Sequence, residues 1–230
     1  MPDFSLSICH LFPDILTLTG DTGNVKAIEY RCKKRGIKTE TTQIFSNEKP
    51  DFSSFDIVII GGGSDYDTKM LLKNTLLKES LISFVESDGV VLAVSSGFKM
   101  FSAFSLIDAE FKGEKKISGD AVLKLDLDGE EAIVSGFLSQ TGEVVLGKAS
   151  PLGKVIMGFG ETEGVRYKNA FLTNLSGPIL PAAPELSDYM IKKAIKRKYN
   201  EDITLTEMDN TIEDLAKEFI ISRNRTETQR

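Results

Sequence analysis

The chain has 230 residues, 41% hydrophobic and 27% charged, with no tryptophan and a formal net charge of −6. That length can bury a sizeable core, in one large domain or two small ones. The acidic balance argues against a general nucleic-acid binder, which needs Lys and Arg to neutralise phosphates.

No apolar run reaches the ~18 residues that a membrane span needs. The N-terminus lacks the basic and apolar regions of a signal peptide, so the expected compartment is the cytoplasm. Cys9 and Cys32 form no CxxC pair, which argues against a zinc site. Two buried free thiols are the expectation, with a disulfide as the alternative.

In chain order, Leu6 to Phe12 reads as a first strand. Pro13-Asp14 and Gly20-Asp21-Thr22-Gly23-Asn24 are loop signals. A helix follows, with Val25, Ile28 and Cys32 at helical spacing and Gly36 near its end. Thr39 to Phe45 alternates as a second strand. Asp56 to Ile60 is a buried strand that runs into Gly61-Gly62-Gly63-Ser64-Asp65. A helix from about Thr75 to Ser87 leads to the strand at Val90. This alternation predicts an α/β fold with a parallel sheet, whose ligands bind outside the carboxyl ends of its strands.

The middle of the chain differs. Ala121 to Leu127, Glu131 to Phe137, Val155 to Gly158 and Arg166 to Leu172 read as strands joined by short turns, extending the sheet or packing beside it. Glu185 to Tyr199 and Thr211 to Arg223 read as closing helices, with Lys192 to Lys198 as a polar helix face. Residues 1–222 are expected to form a single domain, followed by a polar tail over 223–230.

Val90-Val91-Leu92-Ala93-Val94-Ser95-Ser96-Gly97-Phe98-Lys99 has the shape of a strand–elbow–helix, which holds a nucleophile above the end of a sheet. The competing reading is that Ser95 and Ser96 only cap a helix. A serine hydroxyl also needs a general base. The one histidine, His10, lies in the first strand and reads as structural. Lys99 follows Ser96 at S-x-x-K spacing, one helical turn away, but the other motifs of serine–lysine enzymes are absent.

Taken together, the residues resemble the glutaminase subunit of lipid II isoglutaminyl synthase, a cobyric-acid-synthase-like class I glutamine amidotransferase family. His10 to Leu16 and Gly20 to Asn24 are similar to its opening H-L-Y-P-D-x-L-N-L-Y-G-D-x-G-N. Ile59 to Asp65 is similar to I-G-G-G-S-D, and Gly164 to Asn169 to E-G-x-x-Y-K-N. Gly177 to Pro181 is similar to the G-P-x-L-P that follows the catalytic histidine. The resemblance implies a class I glutamine-amidotransferase-like (flavodoxin-like) fold, with a central mostly parallel sheet flanked by helices.

It also implies a chemistry. An elbow cysteine, activated by a histidine, attacks the glutamine carboxamide to release ammonia and form a glutamyl thioester. Backbone N–H groups of the glycine loop and of the residue after the nucleophile form the oxyanion hole. A Mur-ligase-like ATP-dependent partner uses the ammonia. No cofactor or metal is implied.

The departures fall on that chemistry. The family elbow C-G-G-Y-Q is here Ser95-Ser96-Gly97-Phe98-Lys99, so Ser95 stands at the cysteine and Lys99 at a pocket glutamine. L-H-G-P becomes Leu175-Ser176-Gly177-Pro178, with Ser176 at the histidine. G-F-E-N-H-G-G becomes Gly136 to Gly142, without its histidine. Lys116 stands at an arginine that helps hold glutamine.

The expectation is a catalytically inactive pseudo-glutaminase that keeps Gly61, Gly62, Gly63 and Ser96 at the oxyanion-hole positions and serves as a non-catalytic subunit beside a Mur-ligase-like ligase. One alternative is a small-molecule binding module, with Lys99 and Lys116 flanking the former glutamine pocket and favouring a carboxylate or phosphate. A second is an acyl hydrolase using Ser95 or Ser96 with Lys99.

Overall fold

A computed structural model describes residues 3–227. The first strand, β1 (Ser5–Leu11), is followed by helix α1 (Asp21–Lys34) and strands β2 (Lys38–Ile44) and β3 (Ile57–Ile60). Helices α2 (Asp65–Leu71) and α3 (Thr75–Glu86) precede β4 (Val90–Val94) and α4 (Ser96–Ala103). The short α2 is capped by Ser64, whose Oγ accepts from Asp67 N–H at 3.2 Å.

Next come β5 (Ala109–Leu127), β6 (Glu130–Leu146), β7 (Gly153–Met157) and β8 (Thr162–Glu163). The short strands β9 (Val165–Tyr167), β10 (Ala170–Thr173) and β11 (Leu175–Ser176) then lead to helices α5 (Pro184–Tyr199) and α6 (Thr211–Glu227).

The central sheet has the order β2-β1-β3-β4-β10-β9, parallel throughout except for β9. Its inner strands read Ile-Val-Ile-Ile and Val-Val-Leu-Ala-Val and are buried at every position. Burial on both faces is why they show no alternation. On one face Ile57, Ile59, Leu92 and Val94 pack against Val25, Ile28 and Cys32 of α1 and Met190, Ile191 and Ile195 of α5. On the other, Cys9, Val58, Ile60 and Ala93 pack against Leu77, Leu81 and Phe84 of α3 and Phe98 and Phe101 of α4. The two cysteines therefore belong to the cores on opposite faces, and both are free and buried. Burial pushes each thiol up to about 12.

The middle strands build a second, antiparallel sheet of order β11-β6-β5-β7-β8. Its spine is one long hairpin turning at Asp128-Gly129, both at positive φ (60° and 96°). An Asp-Gly pair of this kind makes the turn whose twist matches the flanking strands. The hairpin arms run well past the expected bounds at Ala121 and Phe137, because exposed polar alternation on β5 hides the strand pattern. Arg166 to Leu172, expected as one strand, is a tight antiparallel pair that turns at Lys168-Asn169, with Lys168 at φ 51°.

Helix α5 ties the two sheets together. Asp128 accepts from Lys193 at 2.7 Å, from Tyr189, and from Arg166 at 2.8 Å, and these donors hold its carboxyl below the usual carboxylate range. Helix α6 continues through 227, so the first part of the expected tail is helical, and residues 228–230 lie outside the described residues.

Candidate functional site

The site forms where β3, β4 and β10 reach the carboxyl edge of the central sheet. β4 ends at Ser95, which takes φ 54° and ψ −107°. L-residues rarely hold such a conformation, and it persists only where the surroundings over-determine it. Here Ser95 N–H donates to Thr173 O at 2.8 Å, and Lys99 N–H donates to Ser95 O at 3.0 Å. Gly97 N–H donates to Gly61 O at 3.1 Å, which stitches the start of α4 to the glycine loop. The Ser95 side chain caps nothing, so the helix-capping alternative does not describe it. The backbone is that of a nucleophile elbow.

The glycine loop needs its glycines. A Cβ on Gly62 would stand 2.9 Å from Ser95 Cβ and 2.7 Å from Thr19 Cγ2, and one on Gly61 would collide with the Asp21 carboxylate. Gly62 N–H donates to Thr19 Oγ1 at 2.7 Å. Gly63 N–H donates to Ser96 Oγ at 3.2 Å, and Ser96 Oγ donates to Gly63 O at 2.9 Å.

Below the loop, Thr19 Oγ1 donates to Asp21, and Asn24 Nδ2 donates to the other Asp21 oxygen at 3.2 Å. Burial raises the Asp21 carboxyl, against the pull of these two bonds. His10 is 3% exposed. Desolvation lowers its imidazole while the nearby Asp21 opposes the shift. No hydrogen bond joins His10 to Ser95.

The loop at Gly20–Asn24 also receives the motif after Ser176. A Cβ on Gly23 would lie 2.5 Å from Pro178 Cβ, and Leu180 N–H donates to Asn24 Oδ1 at 2.9 Å. Two stretches more than 150 residues apart are thus packed as one unit beneath the elbow. Ser176 lies on β11, and its Oγ donates to Phe137 O at 2.8 Å rather than to Ser95.

Lys99 does not meet Ser96. Its ammonium lies 3.9 Å from the Asp65 carboxylate and 5.9 Å from the centre of the Phe111 ring, while the Ser96 hydroxyl is bonded to Gly63. The serine–lysine pairing is not formed. Lys116 lines a separate cavity of about 500 Å³ with Leu138, Gln140, Phe159, Glu161 and Glu163. Neither Lys99 nor Ser95 lines it, so the two lysines do not flank one pocket. Among the described residues no group of three His, Cys, Asp or Glu side chains is placed to hold a metal ion.

Several residues here escape a reading of the sequence. Glu163 is buried, and its carboxylate accepts from Thr173 Oγ1 and from Asn174 N–H, each at 2.7 Å. It pins the β10–β11 crossover that carries both Ser95's backbone partner and Ser176. Burial pushes its carboxyl up to about 7. Its signal in the sequence was its place directly before Gly164. The roles of Thr19, Asp21 and Asn24 were foreshadowed only by the Gly-Asp-Thr-Gly-Asn loop.

The comparisons agree with this geometry. Residues 7–183 match the CobB/CobQ-like glutamine amidotransferase domain. Lipid II isoglutaminyl synthase (glutamine-hydrolyzing) subunit GatD of Staphylococcus aureus is 31% identical over 237 residues, covering 95% of this chain and 96% of that protein. The GatD subunit of Streptococcus pneumoniae is 28% identical over 240 residues, covering 94% and 91%. The fold resembles that of PurLQS from Thermotoga maritima, with a TM-score of 0.56 at 11% identity, covering 85% of this chain and 98% of that one. It also resembles a glutamine amidotransferase from Thermotoga maritima, with a TM-score of 0.51 at 12% identity, covering 94% and 93%. An elbow, a glycine loop and a supporting Gly-Asp-Thr-Gly-Asn turn on this sheet, together with full-length relatives of this kind, place the chain in the CobB/CobQ-like glutamine amidotransferase family.

Proposed function

We propose that this protein is a pseudo-glutaminase, a glutamine-amidotransferase-like subunit that no longer hydrolyses glutamine. The observation that carries the reading is the elbow: Ser95 holds the nucleophile's backbone geometry, yet no base is bonded to its hydroxyl and Ser176 is turned to Phe137 O. A serine hydroxyl without an adjacent base is a weak nucleophile. General acid–base help alone is worth about 10²–10⁴-fold. A site without it does not sustain an ammonia supply.

The retained role is that of a non-catalytic subunit beside a Mur-ligase-like ATP-dependent enzyme, in the cytoplasm. The two GatD relatives are themselves subunits of a synthase. The rim of the site is also apolar. Leu18, whose N–H donates to Gly62 O, is 70% exposed, and Tyr66 and Met70, one turn apart on α2, are 73% and 53% exposed. Exposed apolar groups gathered beside a site suit a protein partner. No helix of the described residues is long and apolar enough to cross a membrane.

The test is glutamate release from glutamine, with the chain alone and with a Mur-ligase-like subunit added, together with co-elution of the two proteins. Complex formation without glutamate release is expected. Robust release overturns the reading.

The second reading, a binding module for an acidic small molecule, would use the cavity at Lys116, where Lys115 and Lys116 would have to outweigh Glu143, Glu161 and Glu163. Calorimetry against carboxylate and phosphate metabolites, repeated with Lys116→Gln, separates the two. Binding that is lost in the variant supports the module, and binding that is unchanged removes this cavity from consideration.

A further inference from the structure

We infer that the Ser96 side chain plugs the glycine-loop half of the oxyanion site from within, a lesion beyond those at the nucleophile and base. The inference rests on the pseudo-glutaminase reading and adds a third, independent lesion to it.

Acyl transfer at an elbow needs N–H donors about 2.7–3.1 Å from the developing oxyanion, kept free until the substrate arrives. The family resemblance assigns them to the glycine loop and to the residue after the nucleophile. Within the loop, the N–H groups of Gly62 and Gly63 are already engaged. Gly62 N–H is held by Thr19 Oγ1 at 2.7 Å. Gly63 N–H is held by Ser96 Oγ at 3.2 Å, and the same hydroxyl donates to Gly63 O at 2.9 Å.

Position 96 is a glycine in the family elbow and has no side chain to reach across. Ser96 is 4% exposed, so its hydroxyl competes for Gly63 with little dilution by water. A substrate oxyanion would have to evict a buried hydroxyl and leave it without its partners, which is costly in a desolvated site. The side chain that blocks the hole also braces it: the paired contact ties α4 to the glycine loop and offsets some of the strain at Ser95.

The consequence is specific. Restoring the thiol and the imidazole does not restore turnover while Ser96 remains. In the repaired site the thiolate sulphur would bond to the carboxamide carbon and the C=O electron pair would move onto oxygen. Collapse would then break the C–N bond, with the imidazolium proton leaving on ammonia. The oxyanion stage of that sequence is the one Ser96 obstructs.

The experiment compares Ser95→Cys/Ser176→His with the same pair carrying Ser96→Gly. Glutamate release is measured for both, and hydrogen exchange at the Gly63 amide is measured in the wild type and in the single variants Ser96→Gly and Ser96→Ala. Release about 10²-fold faster in the triple variant is expected, the usual size of an oxyanion donor's effect. Faster exchange at Gly63 is expected in both single variants.

Equal release from the double and triple variants overturns the inference. If neither releases glutamate, the exchange decides: faster exchange at Gly63 upholds the plug, and unchanged exchange overturns it. Glutamate release by the wild type would sink the pseudo-glutaminase reading and is measured separately from either arm.

Discussion

Glu163 gives the sharpest physical prediction. Its carboxyl is raised from 4.5 to about 7, chiefly by burial, although bonds from Asn174 N–H and Thr173 Oγ1 favour the anion. A folded pKa above the unfolded one means that the fold prefers the protonated acid. The associated stability is therefore fully present below pH 4.5 and is lost as pH rises towards and through about 7. At about 1.4 kcal/mol per pH unit, the span is worth at most about 3 kcal/mol. Glu163→Gln keeps the shape and removes the titration. Urea unfolding of both proteins at pH 5, 6, 7 and 8 should show the variant gaining on the wild type as pH rises, by up to about 3 kcal/mol. Groups that titrate alike in both proteins cancel in the difference. If the wild type instead gains on the variant towards pH 8, its two hydrogen bonds outweigh desolvation and the reasoning fails.

Other outcomes follow from the same contacts. Ser95→Gly should relieve the strained φ of 54° and raise stability by about 1 kcal/mol, read as a higher urea midpoint. Gly62→Ala forces a methyl between Ser95 and Thr19 and should cost about 1–3 kcal/mol by the same assay. Asp188 receives Arg31 at 2.5 and 2.7 Å and Arg35 at 2.9 and 2.7 Å, with both guanidinium groups buried. Asp188→Ala should therefore cost about 3–5 kcal/mol, since it leaves two buried cations unpaired. A loss below about 1 kcal/mol would mean that water reaches them.

The parallel half of the fold was legible because its strands are buried on both faces and punctuated by glycine, as at Ile57–Gly63 and Val90–Gly97. The second sheet was only partly legible. Lys112 to Lys116 carries almost no apolar signal, and the turn that organises the hairpin rests on two residues, Asp128 and Gly129. The elbow itself was visible as Ser95-Ser96-Gly97. What lies around it was not. Thr19 meets Gly62 across 43 residues, Ser96 meets Gly63 across 33, and Glu163 meets Thr173 ten residues on but on a different strand. No local pattern encodes such a contact. Lys99 shows the converse failure: a helical spacing suggested a partner in Ser96, but Asp65 and the face of Phe111 claimed the ammonium instead.

The elbow's backbone is held in place by packing. Ser95 donates its N–H to the end of β10, its Cβ fills the space that Gly62 leaves open, and Gly97 holds Gly61. Gly61 in turn gives room to Asp21, which fixes Thr19 and Asn24, and Asn24 anchors the turn after Ser176. Each small residue is required by the next contact, so relaxing the elbow would unpack the junction of the two sheets' loops. The backbone of the site is thus part of the core. On the proposed reading, selection for a docked, folded subunit preserves this backbone and leaves the catalytic side chains free to drift. On the same reading, the Ser96 hydroxyl becomes a cross-link between α4 and the glycine loop, through Gly63 N–H and O.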